Sequence, residues 1–379
     1  SSHEVDAGSR LLLRSLDPDA LPKHGRAFDY GCGYGVLGLA LKQVRPEWSI
    51  ELIDRDALAV AFSEWNAERF GWNDASGIRC RVGLGVESAS PEGVDLVLWN
   101  VPGKAGRQVL ERLTRDATGA LAVDGLLALV VVNPLAEILR AAIAVERTVS
   151  IEAESMSADH TVMLARRLDR PGDEAPFVEP PFTRGVFDRA ARRFEWRDLG
   201  YTITPVVGLP EYDSRDYATD CALDLITGLD RPIDRAIVQG VGQGHVPVVL
   251  KATHRPQTMT LIDRDLLALE ASRRALFDAA MSSDNVLGHV RADLGPVETA
   301  PGCTLVTILL PDQQSPRVSD VQIRDITDLA ECEIDVVVSG SSTSVTRFLS
   351  LASRNRGWQV KSRRKRHGAS AAILSVDGR

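Results

Sequence analysis

Apolar, β-type runs alternate with helical patterns from the start of the chain. The runs Arg26–Tyr30, Ser49–Asp54, Ile78–Val82, Val94–Asn100 and Leu126–Val132 predict five strands, and the segments between them predict helices. Such alternation is the signature of βαβ units on a parallel sheet. The next pair of runs breaks it. Arg147–Glu154 and Thr161–Arg167 are separated by the short polar stretch SMSADH, too short for a parallel crossover, which predicts an antiparallel hairpin added to the sheet.

Leu168–Pro181 (LDRPGDEAPFVEPP) is rich in proline and acid and lacks apolar periodicity, so it reads as a linker. The remainder of the chain repeats its first part. Gly31, Gly33 and Gly35 recur at Gly240, Gly242 and Gly244, the pentapeptide LIDRD at Leu52–Asp56 recurs at Leu261–Asp265, and Pro102 recurs at Pro311. All share one offset of 209 residues, which implies a tandem duplication of one α/β domain. The expected boundaries are 1–168 for the first domain, 169–181 for the linker and 182–379 for the second. The second copy also ends in a candidate hairpin, Trp358–Ser362 and Ser370–Val376, around a basic turn. Before its first strand lies an aromatic lead-in, FEWRDLGYTITPVVG, without a counterpart in the first copy, so the numbering is expected to start inside domain one's own lead-in. Phe177, Phe182, Phe187, Phe194, Trp196 and Tyr201 are expected to pin the lead-in to domain two, with base stacking as the alternative.

Composition narrows the class. The 379 residues are 44% hydrophobic and 25% charged, with no apolar run near the length of a membrane helix and no signal pattern. Five cysteines, Cys32, Cys80, Cys221, Cys303 and Cys332, are scattered without a CxxC or Cys/His cluster, so neither a disulfide framework nor a metal site is expected and a reducing cytoplasm fits. The 44 Lys and Arg against 52 Asp and Glu give a net charge of -8, which removes the bulk attraction of a general nucleic-acid binder. Any RNA contact has to be local, and KSRRKRH at Lys361–His367 is the strong positive patch. Lys361, Arg363, Arg364, Lys365 and Arg366 read either as a solvated turn or as a phosphate-contacting finger.

The string FDYGCGYGVLG places Asp29, Gly31, Gly33 and Gly35 where the first strand gives way to a helix. Glycines there let the backbone turn tightly and approach a ligand, with helix N–H groups facing it. Asp54 ends the second strand, where a carboxylate can accept both ribose hydroxyls. Gly33, Gly35 and Gly38 also satisfy GxGxxG, the dinucleotide pattern. Three features point away from a nicotinamide cofactor: the acidic Asp29, the antiparallel ending, and Asn100 with Pro102 after the fourth strand. A pyrophosphate has no use for Asp29, whereas the zwitterionic tail of S-adenosylmethionine does. Asn100 faces the same crevice, where its carbonyl, with nearby backbone carbonyls, can accept the hydrogens of an –NH₂ group and aim the nitrogen at a methyl donor. As a bland alternative, Asn100 caps the turn ahead of Pro102. Lys104 lies beside the crevice as a lesser candidate for substrate contact.

DYGCGYG, LIDRD and NVPGKAG resemble motifs I, II and IV of class I S-adenosylmethionine-dependent methyltransferases. More narrowly, EVDAGSRLLL before the first strand and VVNPLAEILRAAI after the fifth resemble the small-subunit rRNA guanine-N2 methyltransferases, which also consist of two tandem methyltransferase-like domains, one of them catalytic. The resemblance implies two Rossmann-like domains. Asp29, Gly31, Gly33, Gly35 and Asp54 would hold S-adenosylmethionine, Asn100 and Pro102 the target amine, and Asp6, Gly8 and Ser9 a lead-in closing over the cofactor, with Asn133 matching the Asn after the fifth strand. It implies rRNA or the small ribosomal subunit as partner. Two departures stand out: the family's NPPF is here NVPG, with Val101 for the first Pro and Gly103 for the stacking aromatic, and the intact copy comes first rather than second. In the second copy Asp29 becomes Val238 and Asn100 becomes Leu309, so that domain is expected to dock substrate without catalysing, its glycines and Asp263 kept for the turn and for capping. The alternatives are a methyltransferase acting on a small-molecule or protein amine, and a non-catalytic RNA-binding or ribosome-assembly factor.

Overall fold

The computed structural model describes residues 5–86, 93–168, 180–282, 284–295, 302–312, 314–330 and 334–378. The chain divides into two compact units, Ser1–Phe187 and Asp188–Arg379. Most of the expected linker, 169–179, lies outside the described residues, as do Phe177 and Cys332.

The first unit opens on helix α1 (Ala7–Ser15), followed by β1 (Arg26–Tyr30), α2 (Val36–Val44), β2 (Ser49–Asp54), α3 (Ala57–Arg69), β3 (Ile78–Val82) and β4 (Val94–Asn100). After α4 (Arg107–Gly119) come β5 (Leu121–Val132), α5 (Asn133–Val145), β6 (Val149–Met156) and β7 (His160–Arg167). The strands form one sheet in the order β3-β2-β1-β4-β5-β7-β6. Its first five members are parallel; β7 runs antiparallel beside β5, and β6 closes the edge as the other arm of the hairpin. Residues of both sheet faces, Leu52 and Leu96 on one and Ile53 and Val97 on the other, are fully buried, as expected when helices cover a parallel sheet on two sides.

The second unit begins with a two-stranded hairpin, β8 (Arg192–Trp196) and β9 (Leu199–Ile203), then α6 (Tyr217–Ile226), β10 (Arg235–Gln239), α7 (His245–His254), β11 (Thr258–Asp263) and α8 (Leu266–Asp278). It continues through β12 (Val286–Val290), β13 (Thr304–Leu309), α9 (Pro316–Leu329), β14 (Ile334–Ser341), α10 (Ser342–Ala352), β15 (Trp358–Arg366) and β16 (Ala369–Val376). Its large sheet repeats the first, in the order β12-β11-β10-β13-β14-β16-β15. Even the irregularity recurs, because β6 slips register between Ile151 and Ala153 and β15 between Val360 and Ser362. Phe194 and Tyr201 are buried and stack, their rings 5.9 Å apart, both against His245 of α7, so this part of the lead-in is pinned to its own domain. Phe182 and Phe187, in contrast, fall in the first unit.

One expectation needs correction. The basic run Lys361–Arg366 is not a turn but the outer half of edge strand β15; the turn itself is only His367 and Gly368, at φ of 46° and 83°. Two successive positive φ values are the geometry of a tight two-residue hairpin, and cations on an edge strand discourage pairing with another chain. Among the described residues no helix is long and apolar enough to cross a membrane.

Candidate active site

In domain one the carboxyl ends of β1, β2 and β4 meet at one crevice. The glycine turn after β1 is anchored from beneath: the Gly31 and Cys32 amides donate to the Ile53 carbonyl at 2.8 and 3.0 Å, and the Ser63 hydroxyl donates to the Gly33 carbonyl at 3.0 Å. Gly35, at φ 88°, packs so tightly that a Cβ would come within 2.9 Å of Leu52. Around Gly31 and Gly33 the reverse holds, since a Cβ at either would meet nothing within 4 Å. The turn is braced on its inner side and open toward the crevice.

Asp29 is almost completely buried at the end of β1. Its Oδ2 accepts from the Gly38 amide at 2.8 Å, while Oδ1 has no partner. Burial pushes this carboxyl up to about 7; the Gly38 amide opposes the rise and the nearby Asp54 adds to it. A buried carboxylate oxygen without a donor is suited to a cationic ligand group. Asp54 ends β2, with Oδ2 accepting from the Gly33 amide at 3.0 Å and Oδ1 from the Asp56 amide at 2.9 Å. It therefore holds the glycine turn as well as facing the crevice. Cys32, beneath the turn, has its thiol pushed up by burial and by Asp29, which keeps it inert.

Asn100 ends β4. Its amide nitrogen donates to Asp6 Oδ1 at 3.1 Å and to Ser9 Oγ at 3.0 Å. Asp6 caps α1 by accepting from the Ser9 amide at 2.9 Å. Burial alone would raise the Asp6 carboxyl, but hydrogen bonds from Ser9, Asn100 and Gly8 outweigh it and hold the pKa below the usual carboxylate value. Asp6 and Ser9 thus touch Asn100, a contact the expected lead-in did not specify. The D-x-x-S capping pattern before the apolar run LLL was the available signal. Asn133, at the start of α5, donates to the Ser157 and Ala158 carbonyls at 3.2 and 2.9 Å and accepts from Thr161 at 2.8 Å, so it organises the β6–β7 turn. That turn brings His160 against Gly8, where a Cβ would lie 3.1 Å from the imidazole; His160 was not a candidate from sequence.

The altered loop after β4 also has a physical account. The Val101 amide donates to the Val130 carbonyl at 2.9 Å, a bond that proline cannot make, so the β4–β5 pairing runs one residue further. At Gly103 the nearest atom to a Cβ is Val132 Cγ2 at 3.8 Å, so there is space where a larger side chain would sit. Pro102 and Lys104 lie in this loop, exposed.

In domain two the equivalent crevice is narrowed. Leu309 stands at the position of Asn100, and a Cβ on Gly240 would come within 2.9 Å of it. The remaining cavity, lined by Glu211, Val238, His245 and Thr307 among others, is about 20 Å³, room for one water. Glu211 is pushed up to about 7 by burial and by Asp216, and His245 is pushed down to about 4 by burial. The neutral His245 donates from Nε2 to the Glu211 carbonyl at 3.3 Å, which leaves Nδ1 to accept from Tyr201 Oη at 2.9 Å. Asp263 keeps the bracing role of Asp54, accepting from Val241 at 2.9 Å and Asp265 at 3.0 Å. Where domain one pairs Asp29 with the Gly38 amide, domain two pairs Val238 with Pro247, which has no N–H; carboxylate and donor are absent together. Among the described residues no cluster of His, Cys, Asp or Glu could hold a metal ion.

Residues 1–152 match the methyltransferase small domain family. The chain is 33% identical over 131 residues to the uncharacterized protein YbxB of Bacillus subtilis, covering 35% of this chain and 63% of that one. It is 36% identical over 139 residues to ribosomal RNA small subunit methyltransferase C of Pseudomonas syringae, covering 35% of this chain and 39% of that one. The chain thus spans less than two thirds of the length of either relative. Over nearly its full length it superimposes on the 16S rRNA N2 G1207 methyltransferase of T. thermophilus, solved with AdoMet and guanosine, with a TM-score of 0.68 and 18% identity, covering 99% of this chain and 92% of that one. This likeness shows the fold alone: two tandem Rossmann-like α/β domains.

Proposed function

We propose that this chain, whose residues 1–152 carry a methyltransferase small domain, is an S-adenosylmethionine-dependent N-methyltransferase that modifies an exocyclic guanine amine in ribosomal RNA. The observation that carries the reading is the tethered Asn100. With its NH₂ group committed to Asp6 and Ser9, only its carbonyl oxygen remains to receive a substrate amine.

The open glycine turn and the unpartnered Asp29 oxygen fit the cofactor's amino-acid tail, with Asp54 left to receive the ribose hydroxyls. When bound, the cofactor supplies an electrophilic methyl group on a sulfonium. The chain's own work is positioning. Asn100 Oδ1 and a backbone carbonyl of the loop held by Pro102 accept the hydrogens of the target amine and direct its lone pair. Positive charge developing on the amine as it took up the methyl group would be favoured by these carbonyl dipoles, and the amine proton would then leave to water. Domain two acts as a docking platform, to which the cations of β15 contribute. That the Pseudomonas and T. thermophilus proteins are rRNA methyltransferases supports rRNA as the acceptor.

A second reading, an amine on a small molecule or protein, is favoured by Gly103, which offers no ring to stack on a flipped base, and by the net charge of -8. Transfer of a tritiated methyl group from S-adenosylmethionine to separated rRNA, protein and metabolite fractions tests both. Label in rRNA, at a guanine on digestion, is the expected result; label confined to protein or metabolites replaces the acceptor, and no label in any fraction removes the enzyme.

A further inference from the structure

The two copies carry opposite charge at one position of a shared fold. Edge strand β6 of domain one presents Glu152 and Glu154; at the same offset β15 presents Lys361 and Arg363. In domain one these acids are answered internally, Glu154 by Arg140 of α5 at 2.6 Å and Glu152 by Arg166 of β7 at 2.7 Å. In domain two the helix in the place of α5 is α10, with the sequence STSVTRFLSLA and no carboxylate. It exposes Thr343, Arg347 and Ser350 along one stripe, and Arg354 follows in the next turn. Arg363 reaches across to this helix, donating to Thr346 Oγ1 at 2.7 Å and to the Ser342 carbonyl at 3.4 Å.

Strand alternation sorts the remaining cations. Lys365 shares the α10 face with Arg363. Arg366 turns the other way, 3.6 Å from Asp220 and 5.2 Å from the Tyr217 ring on α6. Along α10 runs an open groove of about 730 Å³, lined by the hydroxyls of Ser342, Thr343, Thr346 and Ser350 and by Arg347 and Arg354, with no carboxylate in its lining. Among the described residues neither arginine makes an ion pair.

We infer that this groove, flanked by Arg363 and Lys365, is the surface on which domain two holds the phosphate backbone of RNA; the inference rests on RNA being the acceptor. Arg347 and Arg354 are seven positions apart, about 10 Å along the helix direction. With the two strand cations they form a row rather than a cluster, which suits successive phosphates along a strand better than one anion. The hydroxyls of Thr343 and Ser350 supply donors to phosphate oxygens between the charges, whereas those of Ser342 and Thr346 donate to the Ala369 and Ser342 carbonyls. A cation beyond a helix C-terminus also suits the helix dipole, but that accounts for Arg354 alone. On a chain of net charge -8, a face from which the acids of its twin are missing is where a polyanion finds local attraction.

The test compares the full chain with R347A/R354A and R347K/R354K, using fluorescence anisotropy of a labelled mixed-sequence single-stranded RNA across a salt series. The alanine pair should lose at least about tenfold in affinity at ~0.1 M salt, and its log affinity against log salt should flatten by about 0.7 per lost contact. The lysine pair should keep most of the slope, and S-adenosylmethionine affinity by calorimetry should be the same in all three proteins, which also reports that they are folded. If the unchanged protein binds RNA with a salt slope that the alanine pair retains, the groove is not the surface, and the RNA reading stands without it. If the unchanged protein binds no RNA, or binds anionic phospholipid vesicles instead, both the groove and the RNA acceptor are overturned.

Discussion

Asn100 and Asp6, 94 positions apart in sequence, meet at 3.1 Å, and the direction of that hydrogen bond fixes which end of the carboxamide faces the crevice. Asp6 is held in its charged form, so it can only accept, and the NH₂ end of Asn100 must turn toward it. Asp6→Ala should therefore lower kcat on the order of a hundredfold by loosening the orientation of the amide, with little change in cofactor affinity. Steady-state kinetics with calorimetry in parallel would show it; an equal loss of cofactor affinity would mean that Asp6 serves the cofactor end instead.

Asn100→Ala should remove the acceptor for the substrate amine while the glycine turn stays intact. Turnover should fall strongly and S-adenosylmethionine affinity only slightly, since the side chain is assigned to the methyl acceptor rather than the donor. If kcat stays near that of the unchanged protein, Asn100 is a cap for the turn before Pro102.

Asp29 links cofactor binding to pH. Its carboxyl is raised from 3.8 to about 7 in the fold, so between about pH 4 and 7 the folded chain holds a proton that the unfolded chain has released. Stability from this group therefore falls as pH rises through that window, by about 1.4 kcal/mol per pH unit at most. Cofactor affinity should move oppositely, rising from pH 6 to 8 (about the span of this titration) as the carboxylate charges to meet the cofactor's ammonium. Asp29→Asn should raise Tm above neutral pH and abolish the rise in affinity. A parallel pH dependence of affinity in the Asn variant would locate the titrating group elsewhere.

Asp54 and Asp263 brace their glycine turns alike, but only the copy with Asp54 also carries Asp29 and Asn100. Replacing either with Ala should lower Tm, because two backbone amides lose a charged acceptor worth roughly 1.5 to 3 kcal/mol each. Cofactor affinity should drop about a hundredfold for Asp54→Ala and not at all for Asp263→Ala. A second equivalent of bound cofactor, lost in Asp263→Ala, would reopen domain two as a binding site.

The sheet was legible because its strands are short apolar runs bounded by turn residues, and the duplication because a pentapeptide and three glycines keep one spacing. Strand β15 was misread at its outer half: Lys361–Arg366 has the composition of a solvated turn, and only its place at a sheet edge makes it a strand. The tether on Asn100 was hidden for a different reason. Asp6 and Ser9 advertise a helix cap, a local signal, whereas their bond to Asn100 exists only once α1 packs beside the end of β4. Likewise, nothing local to SMSADH tells that His160 comes to rest on Gly8.

The replacement of the Asp29–Gly38 pair by Val238 and Pro247 makes the divergence of the second copy hard to undo. An aspartate restored at 238 alone would be buried with no amide to receive, a penalty of roughly several kcal/mol or a neutralised acid. Glycine restored at 247 alone would remove a rigid residue from the first turn of α7 and gain nothing. Each backward step is disfavoured without the other, so the loss works as an evolutionary ratchet.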